Sequence, residues 1–297
     1  MTTTGFVGLG IIGGALSTSL LAAGHQVVGF DVDERRVAEH VGRGGASAAG
    51  ISEVGERCDV VFIAVASTGL LPAIASDLAA CRRPELVVVD IGTLPLAEKL
   101  RAHATLADVG TVLLDCTISG TGAQARAKDL VFMASGDTGT IARLRPLLLD
   151  MGRVVYDVGP FGNGIRMKLI ANHLVAVHNV AAAEALLLAE RAGLDLAQVL
   201  EVVGSGAGTS RMFEVRGPMI AERSYSEPTA KVSMFLKDIT LIAELAADVG
   251  APTPLFDVAA RLYEATMAAG LGDHDAAAVH AVLEELDTAT ACRGDDP

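Results

Sequence analysis

The chain has 297 residues, which is about two domains by the usual size of a domain and enough to bury a substantial core. Hydrophobic residues make up 51% of it and aromatic residues only 4%, so the core must be packed from Ala, Val, Leu and Ile. The formal net charge of -13 repels phosphate backbones and anionic lipid headgroups, and no basic patch interrupts it. We therefore expect a globular protein with neither a nucleic acid nor a membrane as its partner.

The cysteines and histidines do not form the pattern of a metal site. The four cysteines lie far apart without a Cys-x-x-Cys pair, which is typical of reduced thiols in a cytoplasmic protein. His173 and His178 fall on different faces of a helix, and no histidine pair has the spacing of zinc ligands. No apolar run of about 18 residues is uninterrupted, and the first residues lack the basic region of a secretory signal. The expectation is a cytoplasmic protein without a metal.

The first half of the chain alternates short apolar runs, rich in β-branched residues, with helical stretches. The runs span residues 6–9, 26–31, 60–65, 86–90, 112–116 and 154–158. They are apolar throughout, as expected of parallel strands that helices cover on both faces. This order predicts an α/β fold with a Rossmann-type doubly wound parallel sheet.

A glycine-rich stretch, residues 159–164, ends this pattern, and the segments after it have helical composition. We place a domain boundary here. Residues 1–163 are predicted to form a dinucleotide-binding Rossmann domain. Residues 164–297 are predicted to form an all-helical domain for substrate binding and dimerisation.

A glycine motif follows the first apolar run. Gly8, Gly10 and Gly13 have the spacing G-x-G-x-x-G and open a helical stretch that begins around Ile11 and Ile12. In that context the glycines allow a tight turn, a close approach of the backbone to a pyrophosphate, and close packing of helix on strand. The helix N-terminus then faces the phosphates. The alternative is a glycine-rich turn in an unrelated α/β protein.

Asp31 ends the second apolar run, where an acidic side chain bonds the adenosine ribose hydroxyls in dinucleotide-binding folds. A carboxylate there repels a 2′-phosphate, so NAD is favoured over NADP as the cofactor. Arg35 and Arg36 are the complication, because an arginine at this place accommodates that phosphate. Their positions within the following helix favour a surface role.

A polar stripe marks the first long helical segment of the second half. Lys168, Asn172 and Asn179 fall within about 40° of one face of an otherwise apolar helix. Hydride transfer requires a base for the substrate hydroxyl proton, and a free lysine with a pKa of about 10.4 needs burial or neighbouring cations to serve. A closed cleft between domains would supply that desolvation. In the alternative reading Lys168 reaches solvent and the asparagines bond backbone.

Four motifs spread over most of the chain carry a resemblance to a known family. They are GFVGLGIIGGAL at residues 5–16, DCTISGTGAQA at 115–125, GNGIRMKLIAN at 162–172, and FLKDITL around Lys237 and Asp238. With these motifs the chain resembles the β-hydroxyacid dehydrogenase family, which includes 3-hydroxyisobutyrate dehydrogenase and the 6-phosphogluconate dehydrogenases.

The resemblance implies roles for individual residues. Lys168 becomes the catalytic acid or base, and Asn172 binds substrate and orients that lysine. The resemblance implies that the loop of Ser119, Gly120 and Thr121 binds the substrate carboxylate, because its hydroxyl and backbone amides can donate to an anion. The alternative is that this loop is only a turn between a strand and a helix. The residues that the resemblance assigns to the cofactor, besides the glycine motif and Asp31, are Val65, Ala66, Thr93 and Lys237. A helix-capping role is equally open for Thr93.

Because the chain has a net charge of -13, a binding site for an anionic substrate requires positively charged side chains of its own. Lys168, Lys237, Arg126 and Arg211 are the candidates, each with a solvated surface charge as the alternative. The segment of residues 206–220 resembles family members that act on sugar acids such as threonate. Within it Arg211 is assigned to the substrate, and Arg211 or Arg216 could hold further oxygens, with a surface or capping role open for both.

The chain departs from the family pattern at three places. Cys116–Thr117 stands where the family commonly has Ala-Pro, Gly120–Thr121 where it has Gly-Gly, and Ala171–Asn172 where it has Asn-Asn. The first two departures are expected to change the wall of the substrate pocket.

These residues predict an oxidoreductase that transfers a hydride between NAD and a small 3-hydroxy acid, either 3-hydroxyisobutyrate-like or a sugar acid such as threonate. One alternative is an NAD(P)H-dependent reductase of an aldehyde acid, of the tartronate semialdehyde or glyoxylate type, or of an imine. Another is a nucleotide-binding protein without turnover. An apolar helical domain also predicts a homodimer or homotetramer.

Overall fold

The computed structural model describes residues 2–291, and within this range the chain forms two compact units that divide after Lys168. The first unit, Met1–Lys168, contains a single eight-stranded sheet in the order β3-β2-β1-β4-β5-β6-β7-β8. The strands are β1 Thr3–Val7, β2 Gln26–Phe30, β3 Ala46–Ser47, β4 Val60–Ile63, β5 Val87–Asp90, β6 Val112–Ser119, β7 Val131–Ser135 and β8 Val154–Asp157.

All six predicted strands are present, so the predicted fold class is confirmed. Two strands were not predicted: the two-residue β3 and the five-residue β7. The sheet is parallel except at one pair, where the unpredicted strand β7 runs antiparallel to β6. The reason is the connection between them, residues 120–130, which is shorter than the dozen or so residues that a parallel crossover needs.

The helices of the first unit cover both faces of the sheet. They are α1 Ile11–Ala22, α2 Glu34–Gly42, α3 Ile51–Arg57, α4 Leu71–Ala80, α5 Leu96–Ala107, α6 Gly122–Arg126 and α7 Thr138–Leu149. Successive strand residues enter opposite core clusters: Phe6 and Phe62 lie on one face with ring centroids 5.1 Å apart, and Val7 and Ile63 lie on the other. The apolar strand runs of the sequence follow from this double burial.

The strand register aligns the carboxyl ends of the four parallel strands β1, β2, β4 and β5 with Asp115 in the middle of β6. Val7 pairs with Phe30 of β2 and with Ile63 of β4, Ile63 pairs with Asp90, and Asp90 pairs with Asp115 of β6. The loops that follow β1, β2, β4 and β5 therefore start from one edge of the sheet. Strand order reverses at β1, and ligands of open α/β sheets bind at such a switch point.

The last helix to begin in the first unit is α8, Asn163–Arg191, which continues into the second unit. By length and composition alone α8 could cross a membrane, but 44% of its most apolar 18-residue window is buried in the protein, and the core helix of a globular protein meets the same test. The other helices of the second unit are α9 Leu196–Gly204, α10 Arg211–Ala221, α11 Val232–Val249, α12 Pro254–Ala268 and α13 Val279–Ala291.

Buried polar contacts organise the core of this helical unit. Asn179 of α8 donates through Nδ2 to the hydroxyl of Tyr263 and to the carbonyl of Ala276, both at 2.8 Å. His173 stacks on Phe256 with ring centroids 5.1 Å apart. Asn179, read in the sequence as part of a polar stripe, thus serves the packing of α8 on its neighbours.

Candidate active site

The turn after β1 is built so that only glycine fits at its first position. Gly8 has φ +97°, and a Cβ there would lie 2.6 Å from the carbonyl oxygen of Ala64. Its amide donates to the carbonyl of Phe30 at 2.9 Å. A Cβ at Gly13 would overlap the carbonyl of Gly8, so α1 lies directly against the turn. The first and third glycines of the motif have the structural roles that the spacing predicted.

The N-terminus of α1 has the features of a phosphate site. Gly10 is its N-cap residue, and no side chain within residues 2–291 caps it. Ile11 is exposed and Ile12 is half-buried at the first two helical positions. The uncapped amides and the positive end of the helix dipole fit the pyrophosphate of a dinucleotide. The cradle therefore fits the cofactor that the family resemblance implies.

Asp31 lies beside this cradle with both carboxylate oxygens engaged. Oδ2 accepts the amide of Leu9 at 2.7 Å and Nη1 of Arg36 at 3.3 Å, and Oδ1 accepts the amide of Asp33 at 2.9 Å. A Cβ at Gly10 would lie 3.7 Å from Nη1 of Arg36, so this guanidinium lies over the glycine turn. Arg36 is exposed, as expected of a surface residue, even though it pairs with Asp31; Arg35 is exposed too and pairs with Asp33 at 3.0 Å.

Two further loops leave the same sheet edge. Val65 is half-buried and Ala66 exposed after β4, and both carboxylate oxygens of Glu98 accept the amide of Gly69 at 2.9 Å in this loop. The role of Glu98 was missed, because a charged residue in the first turn of a helix resembles an ordinary surface residue. Thr93 follows β5 and does not cap a helix, since α5 begins at Leu96 with Pro95 at the N-cap position. The capping alternative for Thr93 was wrong.

The loop after β6 holds the predicted carboxylate-binding residues. Ser119 is the last residue of β6, and Gly120 has φ +139°. Thr121 caps α6 in a reciprocal pair with Gln124, whose side chain accepts the amide of Thr121 at 3.0 Å. A Cβ at Gly122 would lie 2.5 Å from Cγ2 of Ile11, so this loop packs against the start of α1. The candidate substrate loop and the phosphate cradle are thus neighbours within the first unit.

The first turn of α8 is anchored to β6 and β7. The amide of Gly164 donates to Oγ of Ser135 at 2.9 Å, and the amide of Ile165 donates to Oδ2 of Asp115 at 2.8 Å. The hydroxyl of Thr117 donates to the carbonyl of Gly164 at 2.7 Å. Lys168 is half-buried and lies three residues after Ile165, which is slightly less than one helical turn. The helix that carries the predicted catalytic lysine is therefore tied by side chains to the sheet.

The departure at Cys116–Thr117 has a different consequence from the one expected. Both side chains are fully buried, Cys116 in a core cluster and Thr117 on the Gly164 carbonyl. They do not form a pocket wall, so the expectation that they would reshape it was wrong. Burial raises the pKa of the Cys116 thiol far above its ordinary value, which makes it inert.

A buried ion cluster underlies this region. Nζ of Lys99 lies 2.7 Å from Oδ2 of Asp90 and 2.8 Å from Oδ1 of Asp115, and all three side chains are almost completely buried. Burial by itself lowers the pKa of Lys99, but the two carboxylates outweigh it and hold the pKa above the ordinary value. For the carboxyl group of Asp90 burial has the opposite sign: it raises the pKa, and the charge of Lys99 opposes that rise without cancelling it. Sequence reasoning missed this cluster altogether.

In the second unit Asn172 meets the Lys237–Asp238 motif. Nδ2 of Asn172 donates to Oδ2 of Asp238 at 2.7 Å, and Nζ of Lys237 lies 3.2 Å from Oδ1 of Asp238. Asn172 lies four residues after Lys168 on α8, so the two share a helix face. The third and fourth motifs of the sequence are therefore joined by Asp238, whose bridging role was not predicted.

The two arginines of residues 206–220 differ sharply. Arg211 is exposed at the start of α10 and pairs with Glu214 at 3.1 Å, which matches the surface alternative. Arg216 is buried, and its Nε lies 2.9 Å from Oδ1 of Asp275. Neither a surface nor a capping role describes Arg216, so those expectations were wrong for it.

Arg126, a further candidate cation, is exposed in the last turn of α6.

One group among the described residues has ligand atoms close enough for a metal ion. Glu190, His280 and Glu284 bring three such atoms within 4.8 Å of one another. Nη2 of Arg223 already donates to both glutamates, at 2.7 to 3.0 Å, so a cation occupies the position between the carboxylates. Burial lowers the pKa of His280, which keeps its imidazole neutral.

The three cysteines that the structure describes are free, and Cys292 lies outside the described residues.

Two family models match the chain. The NAD binding domain of 6-phosphogluconate dehydrogenase matches residues 3–159, and the NAD-binding domain of NADP-dependent 3-hydroxyisobutyrate dehydrogenase matches residues 162–283. The first match covers the whole sheet and the second begins one residue before α8.

Similar proteins agree with these matches. The L-threonate dehydrogenase of Cupriavidus necator is 32% identical, over 93% of this chain and 94% of its own length. A probable 3-hydroxyisobutyrate dehydrogenase of Mycobacterium bovis is 31% identical, over 94% of this chain and 97% of its own length. The solved structure of Mycobacterium tuberculosis 3-hydroxyisobutyrate dehydrogenase with L-serine has a TM-score of 0.88 at 31% identity, covering 95% of this chain and 99% of that one. The phosphate cradle, the anchored α8 and these matches together assign the chain to the β-hydroxyacid dehydrogenase family of NAD(P)-dependent oxidoreductases.

Proposed function

We propose that the protein is an NAD-dependent dehydrogenase of a small 3-hydroxy acid, in which Lys168 transfers the proton. The observation that carries this proposal is the anchoring of the first turn of α8, through Gly164 and Ile165, to the strands β6 and β7 of the first unit. A side-chain tether of this kind is unnecessary for an ordinary surface helix. It suits a helix whose sixth residue, Lys168, must be held in place.

The cofactor is proposed to be held by the glycine turn and by the loops of the same sheet edge. The first glycines and the amides at Ile11 and Ile12 suit the pyrophosphate, and Asp31 suits the ribose hydroxyls. Bound NAD supplies the hydride acceptor. Because Asp31 is a carboxylate, NAD is proposed to be preferred over NADP, with Val65, Ala66, Thr93 and Lys237 as further cofactor residues.

Lys168 is proposed to accept the proton that leaves the substrate hydroxyl, and to return one in the reverse direction. A lysine amine can both accept and donate a proton, whereas an arginine in the same place stays charged. Asn172, on the same face of α8, is proposed to bind substrate and to orient Lys168.

The substrate is proposed to be a small anion with a hydroxyl on its third carbon. Ser119, Gly120 and Thr121 are proposed to bind its carboxylate. The hydroxyl of Thr121 already caps α6, so the backbone of this loop and Ser119 are the better donors. The relatives named L-threonate dehydrogenase and 3-hydroxyisobutyrate dehydrogenase support both substrate types. Arg211 is proposed to add a cation for the further oxygens of a sugar acid.

The experiment that tests this proposal compares Lys168→Ala and Lys168→Arg with the unchanged enzyme. Removal of a positioned base lowers kcat by about 10²- to 10⁴-fold. We expect both variants to show this loss, with the Kd of NADH unchanged in fluorescence titrations. Turnover of L-threonate or 3-hydroxyisobutyrate at the normal rate by Lys168→Ala would overturn the proposal. Activity retained only by Lys168→Arg would mean that Lys168 acts as a charge and transfers no proton.

A second candidate is a reductase of an aldehyde acid or an imine on the same scaffold. Two observations favour it: Arg36 lies over the glycine turn, where a 2′-phosphate would find a cation, and the glyoxylate/succinic semialdehyde reductase 2 of Arabidopsis thaliana is 30% identical over 94% of this chain. Rates with NADH and NADPH on glyoxylate, succinic semialdehyde and a cyclic imine separate the two candidates. Binding of NAD without turnover of any hydroxy acid or carbonyl would instead support a nucleotide-binding protein.

The domain roles and the assembly are part of the same proposal. Residues 1–163 are proposed to bind the dinucleotide, and residues 164–297 to bind substrate and to form a homodimer or homotetramer in the cytoplasm. Large apolar side chains exposed on the helical unit, such as Leu188 at 70% and Leu255 at 71%, support association. Multi-angle light scattering checks it, and a monomer at micromolar concentration would contradict it.

A further inference from the structure

Asp115 is the residue through which α8 is tied to a buried charge. Its Oδ2 accepts the amide of Ile165 at 2.8 Å, and its Oδ1 accepts Nζ of Lys99 at 2.8 Å. The hydroxyl of Ser135 donates to the Asp115 carbonyl at 3.0 Å and accepts the amide of Gly164 at 2.9 Å. The amides of Gly164 and Ile165 belong to the first turn of a helix, where amides have no partner within the helix. The sheet supplies both partners.

The burial of Lys99 beside two carboxylates is unfavourable in desolvation free energy. Its side chain is 0% exposed, and removing an ammonium and two carboxylates from water is unfavourable unless each is well paired. An apolar side chain in α5 would have packed the same space without that cost. The two carboxylates it joins lie opposite each other in the sheet, because Asp90 and Asp115 pair in register.

The second carboxylate reaches the other proposed functional segment. Oδ1 of Asp90 accepts the amide of Gly92 at 3.0 Å, and Gly92 precedes Thr93. The ammonium of Lys99 therefore pairs with two carboxylates, and each carboxylate also accepts a backbone amide. Asp90 accepts the amide of Gly92, which directly precedes Thr93. Asp115 accepts the amide of Ile165, three residues before Lys168.

We infer that Asp115 and Lys99 are positioning residues for the reaction: Asp115 fixes the first turn of α8, and with it Lys168, while Lys99 fixes Asp115 relative to the turn that carries Thr93. This inference rests on the proposed catalytic role of Lys168. The residues act through the backbone and need not touch substrate or cofactor. A displacement of about 1 Å in a reacting group costs on the order of 10²-fold in rate.

Asp115→Asn is the variant that separates positioning from folding. An amide side chain has the same shape but only one acceptor oxygen, whereas Asp115 uses two. Either Ile165 or Lys99 must lose its partner. Lys99 keeps Asp90 at 2.7 Å, so the buried charge stays paired and cofactor binding is expected to persist.

The matched control is Asp275→Asn in the second unit. Asp275 is also fully buried, accepts from Arg216 at 2.9 Å, and accepts the amides of Ala277 and Thr229 at 3.0 and 2.7 Å. It bonds no residue of the first turn of α8. A general loss of stability therefore affects both variants, whereas a loss of positioning affects only Asp115→Asn.

Two measurements are made on each variant. Hydrogen exchange of the amides of residues 163–168, without cofactor, is expected to be faster by about tenfold or more in Asp115→Asn and unchanged in Asp275→Asn. The kcat of Asp115→Asn is expected to fall about 10- to 100-fold, with the KM for NAD within about twofold. Combined with Lys168→Ala, Asp115→Asn is expected to cause no further loss, because it acts only through Lys168.

The outcomes distinguish this inference from the proposed function. If Lys168→Ala keeps normal turnover, the proposed function fails. If Lys168→Ala is inactive while Asp115→Asn keeps both the exchange rates and the kcat of the unchanged enzyme, the inference alone fails. An equal loss of kcat in Asp275→Asn, or a further loss in the double variant, also overturns it. Should Asp115→Asn not fold, Ser135→Ala is measured against the same expectations; it removes the acceptor of Gly164 and the hydroxyl that donates to Asp115, and it leaves the Asp115–Lys99 pair in place.

Discussion

Each unit of this protein buries an ion cluster, and the two clusters differ in what their carboxylates hold. In the first unit Lys99 is shared by Asp90 and Asp115, which bind amides beside Thr93 and Lys168. In the second unit Arg216 pairs with one carboxylate among the described residues, that of Asp275, at 2.9 Å. Asp275 also accepts three amides and a hydroxyl, which come from Thr229, Ala230 and Ala277.

The chemistry of the two clusters is similar, so burial and charge by themselves do not identify a functional group. What differs is the backbone that each cluster holds. The segments around Asp275 are connections between helices of the second unit, and no site residue was assigned to them. The segments around Asp90 and Asp115 lead directly into the loop of Thr93, which is proposed to bind the cofactor, and into the first turn of α8. A buried charge is informative about function only when its partners are traced to the elements they fix.

The largest expected effect comes from removing the cation of each cluster. Lys99→Met leaves two buried carboxylates unpaired and Arg216→Met leaves one, and breaking a buried pair in this way costs about 3–5 kcal/mol of stability. We expect both to unfold at lower temperature. Only Lys99→Met is expected to lower kcat as well, when activity is measured at a temperature where both variants are folded. A comparable loss of kcat in Arg216→Met would remove the functional distinction between the clusters.

The next effect separates two buried asparagines of α8. Asn179→Ala leaves the Tyr263 hydroxyl and the Ala276 carbonyl without a donor, which costs about 1–3 kcal/mol of stability. Its KM for the hydroxy acid is expected to stay near normal. Asn172→Ala is expected to raise that KM or lower kcat, with a smaller loss of stability. Urea unfolding followed by circular dichroism, together with steady-state kinetics, checks both, and a reversed assignment would contradict the proposed role of Asn172.

A third expectation concerns the charge beside the phosphate cradle. Asp31→Asn keeps the shape of the side chain but removes the charge that repels a 2′-phosphate. We expect about a tenfold shift of the NADP-to-NAD preference towards NADP, since bonds to a charged group are worth about 1.5–3 kcal/mol. Arg36→Leu is the matched change and is expected to shift the preference the other way. The ratio of kcat/KM for the two cofactors measures this, and an unchanged ratio in both variants would place the ribose elsewhere.

The smallest effect is a pH dependence shared by the two units. His40 and His280 are buried, and burial lowers the pKa of each imidazole. In the unfolded chain these rings bind protons below about pH 6.5, which the folded protein resists, so the unfolded state gains protons on acidification. The stability they contribute is present above about pH 6.5 and is lost as the pH falls towards their folded pKa. The slope is at most about 1.4 kcal/mol per pH unit for each ring.

The measurement compares unfolding at pH 7.5 and pH 5.5 in the unchanged protein, His40→Leu and His280→Leu. Each variant is expected to show a shallower decline between these two pH values, because it lacks one of the titrating rings. An undiminished decline in both would mean that other groups account for the acid sensitivity.

The sequence predicted best what depends on neighbouring residues. The apolar runs identified six strands, the glycine spacing identified the turn after β1, and the glycine-rich stretch at 159–164 located the start of α8. These features follow from local rules: strand runs are bounded by turn residues, and a tight turn requires a positive φ. The same rules placed the candidate residues at the ends of strands that share one sheet edge.

The features that the sequence did not predict depend on pairings between distant residues. Lys99 lies in a helix next to Glu98, where two charges in succession resemble a solvated face, and only the register of Asp90 with Asp115 gives it buried partners. For Arg216 the sequence left a substrate, surface or capping role open, and its buried pairing was not predicted because Asp275 lies 59 residues away. Strand β7 was not predicted at all, and its antiparallel direction was missed with it, because a short apolar run carries no information about the orientation of its partner.

The reversal of β7 also bears on how substrate preference can diverge in this family. Ser119 pairs with Val131 and Asp115 pairs with Ser135, so the antiparallel ladder closes residues 120–130 into an excursion whose two ends are fastened together. Insertions or substitutions in that excursion leave the acceptors of Gly164 and Ile165 where they are. Substrate preference can therefore change through the residues proposed to bind the carboxylate, while the contacts that hold the proposed proton-transfer helix stay unchanged.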